Sequence, residues 1–371
     1  MSEHATEGTA ADEDPRRGAP PDIVGPYLAR VLGDPGWAEC QVELVAGGKS
    51  NLTYVISSKA SKLGQVVLRR PPLAAVLPTA HDMVREHRVL SALQDTDVPV
   101  PIVYHLCTDV AVVGAPFYVM EKVNGLIVRD TVPEGYADSP AERSRIADAL
   151  VETLIAIHRV PITGPLEGYG RTDGYLARQI KRWNAQWEAT KEAVASGTLL
   201  ADLDQLAQEL SANLPEQRET TLVHGDFRLD NTMLDPKDPG RILAVLDWEL
   251  STLGDPLADV GLIGVYWGDR NAPEGSHQLT ARVTLEPGFP SRIEVFRRYA
   301  ERSGRNISAL PWYLAFGYFK LAVIATGIAA RHQAGGMIGE GFDSAAGSVP
   351  GLVKTGLEML AHGLAGEAPD Q

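Results

Sequence analysis

The hydrophobic pattern of the chain changes near Asn124 and Gly125, and this change limits the possible folds more than any other feature. Before it, branched and aromatic residues come in short runs separated by turn-forming residues, as in LTYVIS and PFYVME. Such runs are typical of β-strands. After it, long segments such as 141–158 and 174–195 carry apolar residues at helical spacing. The sequence therefore predicts an α+β protein with a small sheet lobe and a large, mostly helical lobe.

The small lobe is predicted to contain five antiparallel strands, with one helix over residues 81–93 after the third strand. A chain of 371 residues is longer than a single core usually supports. We predict a disordered acidic tail over residues 1–22, an N-terminal lobe over 23–122, a C-terminal lobe over 123–364 and a short tail over 365–371.

Charge and composition exclude several classes of function. Lys and Arg number 34 against 48 Asp and Glu, so the net charge is 34 − 48 = −14. This balance disfavours a nucleic-acid or anionic-membrane binder, because both partners require a basic face. Two cysteines are too few for a disulfide scaffold. The N-terminal residues lack the basic and apolar regions of a signal peptide, so a cytoplasmic location is expected.

One segment, Pro311–Ala330, is apolar and long enough to cross a bilayer. Lys320 lies at its midpoint, and a charge at the bilayer centre costs at least ~2.5–3.5 kcal/mol. We therefore predict a helix buried in the helical lobe and expect no membrane partner.

The sequence LVHGDFRLDNTMLD, followed by ILAVLDWE, carries the strongest chemical signal. It contains Asp226, then Asn231 five residues later, then Asp247 after a further sixteen. A predicted hairpin between Asn231 and Asp247 would return the second Asp beside the Asn. Carboxylate and amide oxygens are hard ligands suited to Mg²⁺. The catalytic loop of protein kinases, with an Asp, four residues, an Asn and a later metal-binding Asp, follows the same arrangement.

These motifs resemble those of the aminoglycoside-phosphotransferase and choline-kinase-like group, a branch of the bilobal protein-kinase-like fold. HGDFRLDN resembles the signature of this group, and LDWELSTLGDPLADVG resembles its metal-binding segment. GGKSNLTYVI, VVLRRPP and PFYVMEKVNG are similar to the phosphotransferase domain fused to some acyl-CoA dehydrogenases. The resemblance covers roughly residues 40–360. It implies that the N-terminal lobe binds nucleotide and that the helical lobe holds the catalytic residues and the acceptor.

The resemblance also implies roles for single residues in the helical lobe. Asp226 matches the catalytic base, and Asn231 and Asp247 match the Mg²⁺ ligands. Asp259 and His224 match residues that support the catalytic loop. Arg228 is expected to stabilise charge on the transferring phosphoryl group. The alternative for Arg228 is a surface arginine that pairs with Asp230.

The nucleotide side departs from the usual kinase pattern. The loop AGGKSN, with Gly47, Gly48, Ser50 and Asn51, is expected to cover the phosphates through its backbone N–H groups. Kinases place a Lys on strand three, where this chain has Arg69 and Arg70.

Strand alternation places Val67 and Arg69 on one face and Val66, Leu68 and Arg70 on the other. We assign Arg69 to the nucleotide site, paired with Glu86 of the next helix. The alternatives are Arg70 in its place or an Arg69 exposed on an edge strand. Glu121–Val123, including both Glu121 and Val123, is similar to the hinge that binds the adenine edge.

The sequence thus predicts an ATP- and Mg²⁺-dependent phosphotransferase that acts on a hydroxyl of a small molecule. The resemblance implies a hydroxyacyl-CoA or hydroxy acid as acceptor, with an aminoglycoside-type acceptor next. The alternative is a non-catalytic, pseudokinase-like regulator that binds nucleotide, because the strand-three Lys is missing. ATP versus GTP and the oligomeric state stay open. His158 ends a helical pattern, and we predict that it caps a helix C-terminus.

Overall fold

The computed structural model describes residues 14–45, 51–73, 81–191, 197–268, 282–333 and 342–366. The chain divides into two compact units. One combines Met1–Gln94 with Pro101–Val123, and the other combines Asp95–Val100 with Asn124–Gln371. The division after Val123 lies one residue beyond the predicted boundary. The hydrophobic pattern did not predict that Asp95–Val100 groups with the second unit.

The first unit is built on a five-stranded antiparallel sheet with strand order β1-β2-β3-β5-β4. The strands are β1 Gln41–Leu44, β2 Leu52–Ser57, β3 Gln65–Arg70, β4 Val103–Cys107 and β5 Phe117–Glu121. The α-helices described in this unit are α1 Pro21–Val31, α2 Met83–Leu93 and the single turn α3 Val110–Val113. The predicted α+β class is confirmed, as is the predicted sheet with a helix after its third strand.

Alternation along the strands decides which side chains of the first unit form its core. Val66 and Leu68 of β3 are fully buried, together with Tyr54 and Ile56 of β2, in a cluster that also includes Trp37. Residues two apart on a strand point to the same face of a sheet. The face predicted from the alternation of β3 is therefore the face that packs against this cluster.

Part of the predicted tail, residues 14–22, has a defined structure. A 3₁₀-helix spans Pro15–Gly18, and the Asp14 carboxylate before it accepts a hydrogen bond from the Arg16 backbone N–H at 2.9 Å. Ala19 is fully buried in the core of the sheet unit. The predicted disordered tail over residues 1–22 is therefore wrong for residues 14–22. The charged composition of this segment predicted disorder, but the burial of Ala19 in the core orders residues 14–22.

Helix α2 begins at an Asp82 N-cap, whose carboxylate accepts a hydrogen bond from the Arg85 backbone N–H at 3.0 Å. Its buried residues are Met83, Glu86, Val89, Leu90 and Leu93. Apolar spacing alone would also bury Val84, yet this side chain is 44% exposed. The buried face of the helix is rotated from the one that spacing suggests because it must include Glu86, which pairs with Arg69.

The second unit is mostly helical, with two small antiparallel sheets. Its α-helices are α4 Pro140–Arg159, α5 Tyr175–Thr190, α6 Gly197–Ala212, α7 Leu257–Tyr266, α8 Arg292–Ser303, α9 Leu310–Gln333 and α10 Phe342–His362. Its strands are β6 Thr221–Val223, β7 Thr232–Asp235, β8 Asp238–Val245 and β9 Thr252–Gly254. The hairpin predicted after Asn231 is the β7–β8 pair, and β6 pairs with β9.

Helix α4 shows how local sequence sets a helix start. Ser139 accepts a hydrogen bond from the Glu142 backbone N–H at 3.3 Å, and the Glu142 carboxylate accepts one from the Ser139 backbone N–H at 3.0 Å. This reciprocal capping box satisfies two backbone donors that a helix N-terminus leaves without partners. Helix α4 packs against α8, whose start is capped by Ser291.

Helix α9 is the apolar segment in which Lys320 lies. Leu310–Ala329 is long and apolar enough to span a membrane, but 78% of its most apolar window is buried inside the protein. Helix α9 packs against α5, α6, α7 and α10. A helix that is apolar all round is expected to be buried on all sides, and the predicted core helix is observed.

Candidate active site

The loop after β6 carries the sequence His224-Gly225-Asp226. All three residues of β6 are buried, so the strand gives the loop a rigid start. Gly225 has φ +82°, and a Cβ added there would lie 2.7 Å from the Leu250 carbonyl oxygen. Both the backbone conformation and the lack of space require glycine at this position.

Asp259 of α7 supports this loop through hydrogen bonds. Its carboxylate is fully buried and accepts hydrogen bonds from the backbone N–H groups of His224, at 2.7 Å, and Gly225, at 2.8 Å. Burial disfavours the ionised carboxyl, but the hydrogen bond from His158 and that from the His224 backbone hold the pKa of Asp259 below its ordinary value. The bracing expected from the family resemblance is therefore visible as two direct hydrogen bonds.

The position of His158 near the end of helix α4 predicted a C-terminal cap, but His158 does not cap this helix. Its imidazole is fully buried, with Nε2 3.3 Å from an Asp259 oxygen and Nδ1 2.8 Å from the Tyr299 hydroxyl. Burial lowers the pKa of His158. A neutral imidazole that donates from Nε2 to Asp259 and accepts the Tyr299 O–H satisfies both contacts. The role is decided by tertiary contacts, namely the packing of α4 against α8 and the contact of His158 with Asp259 of α7.

His224 connects the loop to the segment that carries Asp247. Its Nε2 lies 2.9 Å from the Leu246 carbonyl oxygen, and its Nδ1 accepts the Asp226 backbone N–H at 3.2 Å. Its ring also lies against the Trp248 indole, with the ring centroids 4.6 Å apart. These contacts fix the backbone on both sides of His224 and give its side chain a structural role.

Asp226 and Asn231 lie in direct contact. The Asn231 amide Nδ2 donates to the Asp226 carbonyl oxygen at 2.8 Å and to its carboxylate at 2.9 Å. Both partners are acceptors, so the amide nitrogen must face Asp226 and the amide oxygen must face away from it. The Asn231 amide oxygen is thereby turned away from Asp226, while the Asp226 side chain stays 20% exposed.

Asp247 follows directly after the pairing that ends the hairpin. The Leu246 backbone N–H donates to the Asn231 carbonyl oxygen at 2.8 Å, which places Asp247 one residue away from a direct backbone bond to Asn231. Asp247 has φ 64° and ψ 61°, in the left-handed region. Such a conformation in a residue other than glycine costs of order 1–3 kcal/mol and is common at functional sites.

Arg228 pairs with Asp230, as one of its two predicted roles requires, and it also lies near Asp226. Its Nη1 lies 2.9 Å from Asp230, and its Nε lies 3.5 Å from the Asp226 carboxylate. The guanidinium also stacks over the Tyr266 ring at 4.7 Å. Burial opposes its charge, but Asp226 and Tyr266 raise the pKa of Arg228. The predicted surface pair with Asp230 is present, and it directs the guanidinium toward Asp226.

Lys320 is a site residue that motif reasoning missed. Its Nζ donates to the Gly225 carbonyl oxygen at 3.2 Å and lies 5.6 Å from the Trp183 ring centroid. Burial lowers the pKa of Lys320. The available sequence signal was a single lysine in the middle of the most apolar segment. That lysine argued against a membrane span, but the sequence did not indicate its partner.

In the first unit, the expected ion pair between Arg69 and Glu86 is present. The Arg69 Nε lies 3.0 Å from a Glu86 oxygen, and the two side chains are 14% and 2% exposed. Arg70 points the other way: its Nη1 donates to the carbonyl oxygens of Gly18, at 2.8 Å, and Val113, at 2.7 Å. Arg70 is thus a structural residue of the sheet core, whereas Arg69 pairs with Glu86 of the following helix.

The other predicted nucleotide-site residues are only partly described. Gly47, Gly48 and Ser50 lie outside the described residues. The Asn51 side chain is 3% exposed and its Oδ1 contacts the His81 Nδ1 at 2.9 Å. At the end of β5, a Glu121 carboxylate oxygen accepts the Ile102 backbone N–H at 3.2 Å. Val123, two residues further on, is half-buried.

If Asn231 and Asp247 hold a metal ion, their oxygen atoms would suit Mg²⁺ better than a transition metal. Within the described residues, no group of three or more His, Cys, Asp or Glu side chains could hold a metal ion. One amide oxygen on Asn231 and one carboxylate on Asp247 match the preference of Mg²⁺, which keeps several waters and takes one or two protein ligands besides phosphate oxygens.

Comparison with known proteins identifies relatives of the whole described fold. The sequence model of the phosphotransferase enzyme family matches residues 41–292. Human acyl-CoA dehydrogenase family member 11 is 40% identical over 321 residues, which cover 84% of this chain and 39% of that protein. The chain thus spans about two fifths of the length of this relative.

Two solved structures share the fold. A protein from Ralstonia eutropha, described as a candidate aminoglycoside phosphotransferase, has a TM-score of 0.76 at 33% identity and covers 92% of this chain and 98% of its own. A thermostable mutant of aminoglycoside phosphotransferase APH(4)-Ia, solved with AMP-PNP and hygromycin B, has a TM-score of 0.56 at 16% identity and covers 90% and 98%. The predicted kinase-like fold is confirmed, and the chain belongs to the phosphotransferase enzyme family.

Proposed function

We propose that this phosphotransferase uses ATP and Mg²⁺ to phosphorylate a hydroxyl group of a small molecule. The observation that carries the proposal is the direct contact of Asp226 with Asn231 and, through the Leu246–Asn231 backbone bond, the placement of Asp247 beside them. A base and two oxygen ligands are what phosphoryl transfer requires from a protein, because catalysis consists mainly of positioning and charge stabilisation.

Each residue of this group has a defined part in the reaction. The Asp226 carboxylate accepts the proton of the acceptor hydroxyl, whose oxygen forms a bond to the γ-phosphorus while the bond from phosphorus to the ADP oxygen breaks. Asn231 and Asp247 would hold Mg²⁺, which supplies positive charge to the phosphate oxygens. Arg228, whose Nε is buried and makes no hydrogen bond within the described residues, faces Asp226 and adds charge stabilisation.

Arg69 is the proposed phosphate-binding residue of the sheet unit. Glu86 holds its Nε and so fixes the orientation of the guanidinium, a planar group whose geometry matches phosphate oxygens. The AMP-PNP in the complex of the structural relative supports nucleotide binding by this fold.

We propose a hydroxyacyl-CoA or a free hydroxy acid as the acceptor. The name of the human relative points toward acyl-CoA chemistry. An aminoglycoside is the second candidate, because the APH(4)-Ia structure contains hygromycin B. Lys320, which is paired with no carboxylate of the described residues, lies beside the catalytic loop and favours the first class, since its ammonium group would attract an acyl oxygen and repel the ammonium groups of an aminoglycoside.

The test measures ADP release and phosphoester formation from Mg-ATP over a panel of hydroxyacyl-CoAs, hydroxy acids, aminoglycosides and choline. Asp226→Asn should lower kcat by about 10²–10⁴-fold and leave nucleotide binding within a few-fold, because only the base is lost. Asp247→Asn should remove the Mg²⁺ dependence of nucleotide binding. Asp173→Asn, at a side chain that is 79% exposed, is the matched control and should behave as wild type.

Turnover by Asp226→Asn at the wild-type rate would contradict the proposal. Tight nucleotide binding by the wild type without ADP release for any acceptor would favour the alternative of a non-catalytic regulator. The alternative of a regulator is tested because strand three carries Arg69 and Arg70, where kinases carry a Lys.

A further inference from the structure

We propose that Lys320 binds an acyl oxygen of the acceptor, either the carboxylate of a hydroxy acid or the thioester carbonyl of a hydroxyacyl-CoA. This inference rests on the proposed function and goes beyond it, because it names the residue that selects the acceptor class.

Lys320 reaches the catalytic loop from the centre of helix α9. The eight residues before it, Trp312–Phe319, are buried, and Leu321–Val323 after it are buried too. Lys320 itself is half-buried, and its Nζ donates to the carbonyl oxygen of Gly225, the residue before Asp226. Summed bond lengths along this path limit the distance from Nζ to the Asp226 carboxylate to roughly 12 Å.

The ammonium group of Lys320 has more hydrogen-bond donors than acceptors among the described residues. It carries three N–H groups, and within the described residues only one of them has a protein acceptor, the Gly225 carbonyl. Among the residues that the structure describes, no carboxylate lies within ion-pair distance of the Lys320 Nζ. A partly buried charge without a directly paired carboxylate is costly, so a group that supplies an anionic or carbonyl oxygen would be bound favourably.

The surrounding charges restrict the chemistry of that group. Burial lowers the pKa of Lys320, the carboxylates of Asp226 and Asp259 act against this effect, and the guanidinium groups of Arg182 and Arg228 reinforce it. Both carboxylates already have partners: Asp259 accepts backbone N–H bonds and Asp226 accepts the Asn231 amide. The ammonium group of Lys320 therefore favours an acceptor with an acyl oxygen and disfavours a polycationic acceptor.

The Trp183 indole provides an apolar wall beside the ammonium group. Its ring centroid lies 5.6 Å from the Lys320 Nζ, and the side chain is only 7% exposed. Hydrocarbon next to the acyl oxygen could lie against this ring. In 2-, 3- and 4-hydroxy acids the hydroxyl and acyl oxygens are about 3–6 Å apart, from bond lengths of ~1.5 Å. With a hydrogen bond of about 2.8 Å at each end, such a molecule spans about 9–12 Å, which is comparable with the upper limit of roughly 12 Å between the Lys320 Nζ and the Asp226 carboxylate.

The first experiment measures binding without turnover. Butyrate and butyryl-CoA lack the hydroxyl group and serve as probes in calorimetry with the wild-type protein, Lys320→Met and Lys354→Met. Wild type and Lys354→Met, whose lysine is 65% exposed, should bind at least one probe with the same Kd. Lys320→Met should bind it about 10–100-fold more weakly, because a charge-assisted hydrogen bond is lost. Failure of both probes to bind wild type, or equal binding by Lys320→Met, would overturn the proposal.

The second experiment separates acceptor binding from loop support. With 2-, 3- and 4-hydroxybutyrate and their CoA thioesters, Lys320→Met should raise the acceptor KM by 10–100-fold while the ATP KM stays within a few-fold. Lys320→Arg should recover part of the loss, because it keeps the charge. A lysine that only supports the loop would instead lower kcat equally for all acceptors, kanamycin included, with an unchanged acceptor KM. That result would contradict the assignment.

The acyl site at Lys320 and the kinase activity can each be contradicted without the other. Lys320-dependent binding of butyrate or butyryl-CoA without phosphorylation of any acceptor would support the acyl site and contradict the kinase. Phosphorylation with a KM that is independent of Lys320 would support the kinase and contradict the acyl site. The carboxylate and thioester arms decide which source of the acyl oxygen the site accepts.

Discussion

Individual side chains in the helical unit decide whether the catalytic loop keeps its shape. Asp259 is an ionised carboxylate because it accepts two backbone N–H bonds, and His158 beside it is neutral because its imidazole is fully buried. The hydrogen bond to the Tyr299 hydroxyl completes this buried chain. A proton added to His158 would replace an accepted hydrogen bond with a second donor, so acid should weaken the loop.

The free energy of unfolding should therefore depend on the protonation of His158. Burial lowers its pKa below the ordinary value of 6.5. Between the two pKa values the unfolded chain binds more protons than the folded protein, so stability falls as the pH drops below about 6.5. His158→Gln should lose this part of the pH dependence, up to about 1.4 kcal/mol per pH unit, in urea titrations from pH 7.5 to 5.

The control for this measurement is His362→Gln, at an exposed position in the last turn of α10. It should follow the wild-type curve. If the slopes of wild type and His158→Gln agree over the whole pH range, the pKa of His158 is the same in the folded and unfolded protein, and the assignment of an imidazole kept neutral by burial is wrong.

At the scale of elements, glycine controls how closely the helices of the second unit approach one another. A Cβ added to Gly261 of α7 would lie 2.7 Å from the Tyr313 Cβ and 2.8 Å from the Tyr313 carbonyl carbon. Helix α7 also carries Asp259, two residues earlier. The contact between α7 and α9 therefore positions both Asp259 and Lys320 against one loop.

Substitution of Gly261 by Ala should separate α7 from α9. Backbone atoms cannot move aside as a flexible side chain can, so we expect a loss of about 1–3 kcal/mol in the free energy of unfolding. Gly347→Ala in α10 is the matched control, because nothing lies within 4 Å of its added Cβ. It should stabilise the protein by about 0.5–1 kcal/mol. Equal effects of the two substitutions in urea unfolding would contradict the close α7–α9 contact.

At the scale of the whole molecule, the net charge of −14 opposes compactness. Surface ion pairs such as Arg297–Glu301, with side chains 56% and 57% exposed, offset little of it. Salt screens the net repulsion more than it weakens such pairs. We expect the melting temperature at pH 7 to rise by a few degrees between 0.01 and 0.15 M NaCl, from ~1 kcal/mol of screened repulsion.

The same titration at pH 5.1, the isoelectric point of the sequence, is the control. Without net charge, only the ion pairs respond, and the melting temperature should stay constant or fall with salt. A melting temperature that falls with salt at pH 7 would show that favourable ion pairs dominate over net repulsion.

The sequence by itself determined those features that depend on local geometry. Strand alternation predicted the opposite directions of Arg69 and Arg70, since side chains of neighbouring residues on a strand point to opposite faces. The hairpin after Asn231 followed from turn residues between two branched runs. The fold class followed from the change in hydrophobic period, because helices and strands bury apolar residues at different spacings.

Only the tertiary structure decided the partners of buried charges. His158 and Asp259 are 101 residues apart in the chain, and Lys320 and Gly225 are 95 residues apart. No local pattern relates such residues, because the contacts arise from how α4, α7 and α9 pack around the loop. The ordering of residues 14–22 depends likewise on a core that forms far along the chain. Short-range periodicity specifies which face of an element is apolar, whereas the pairing of polar groups across elements is specified by packing alone.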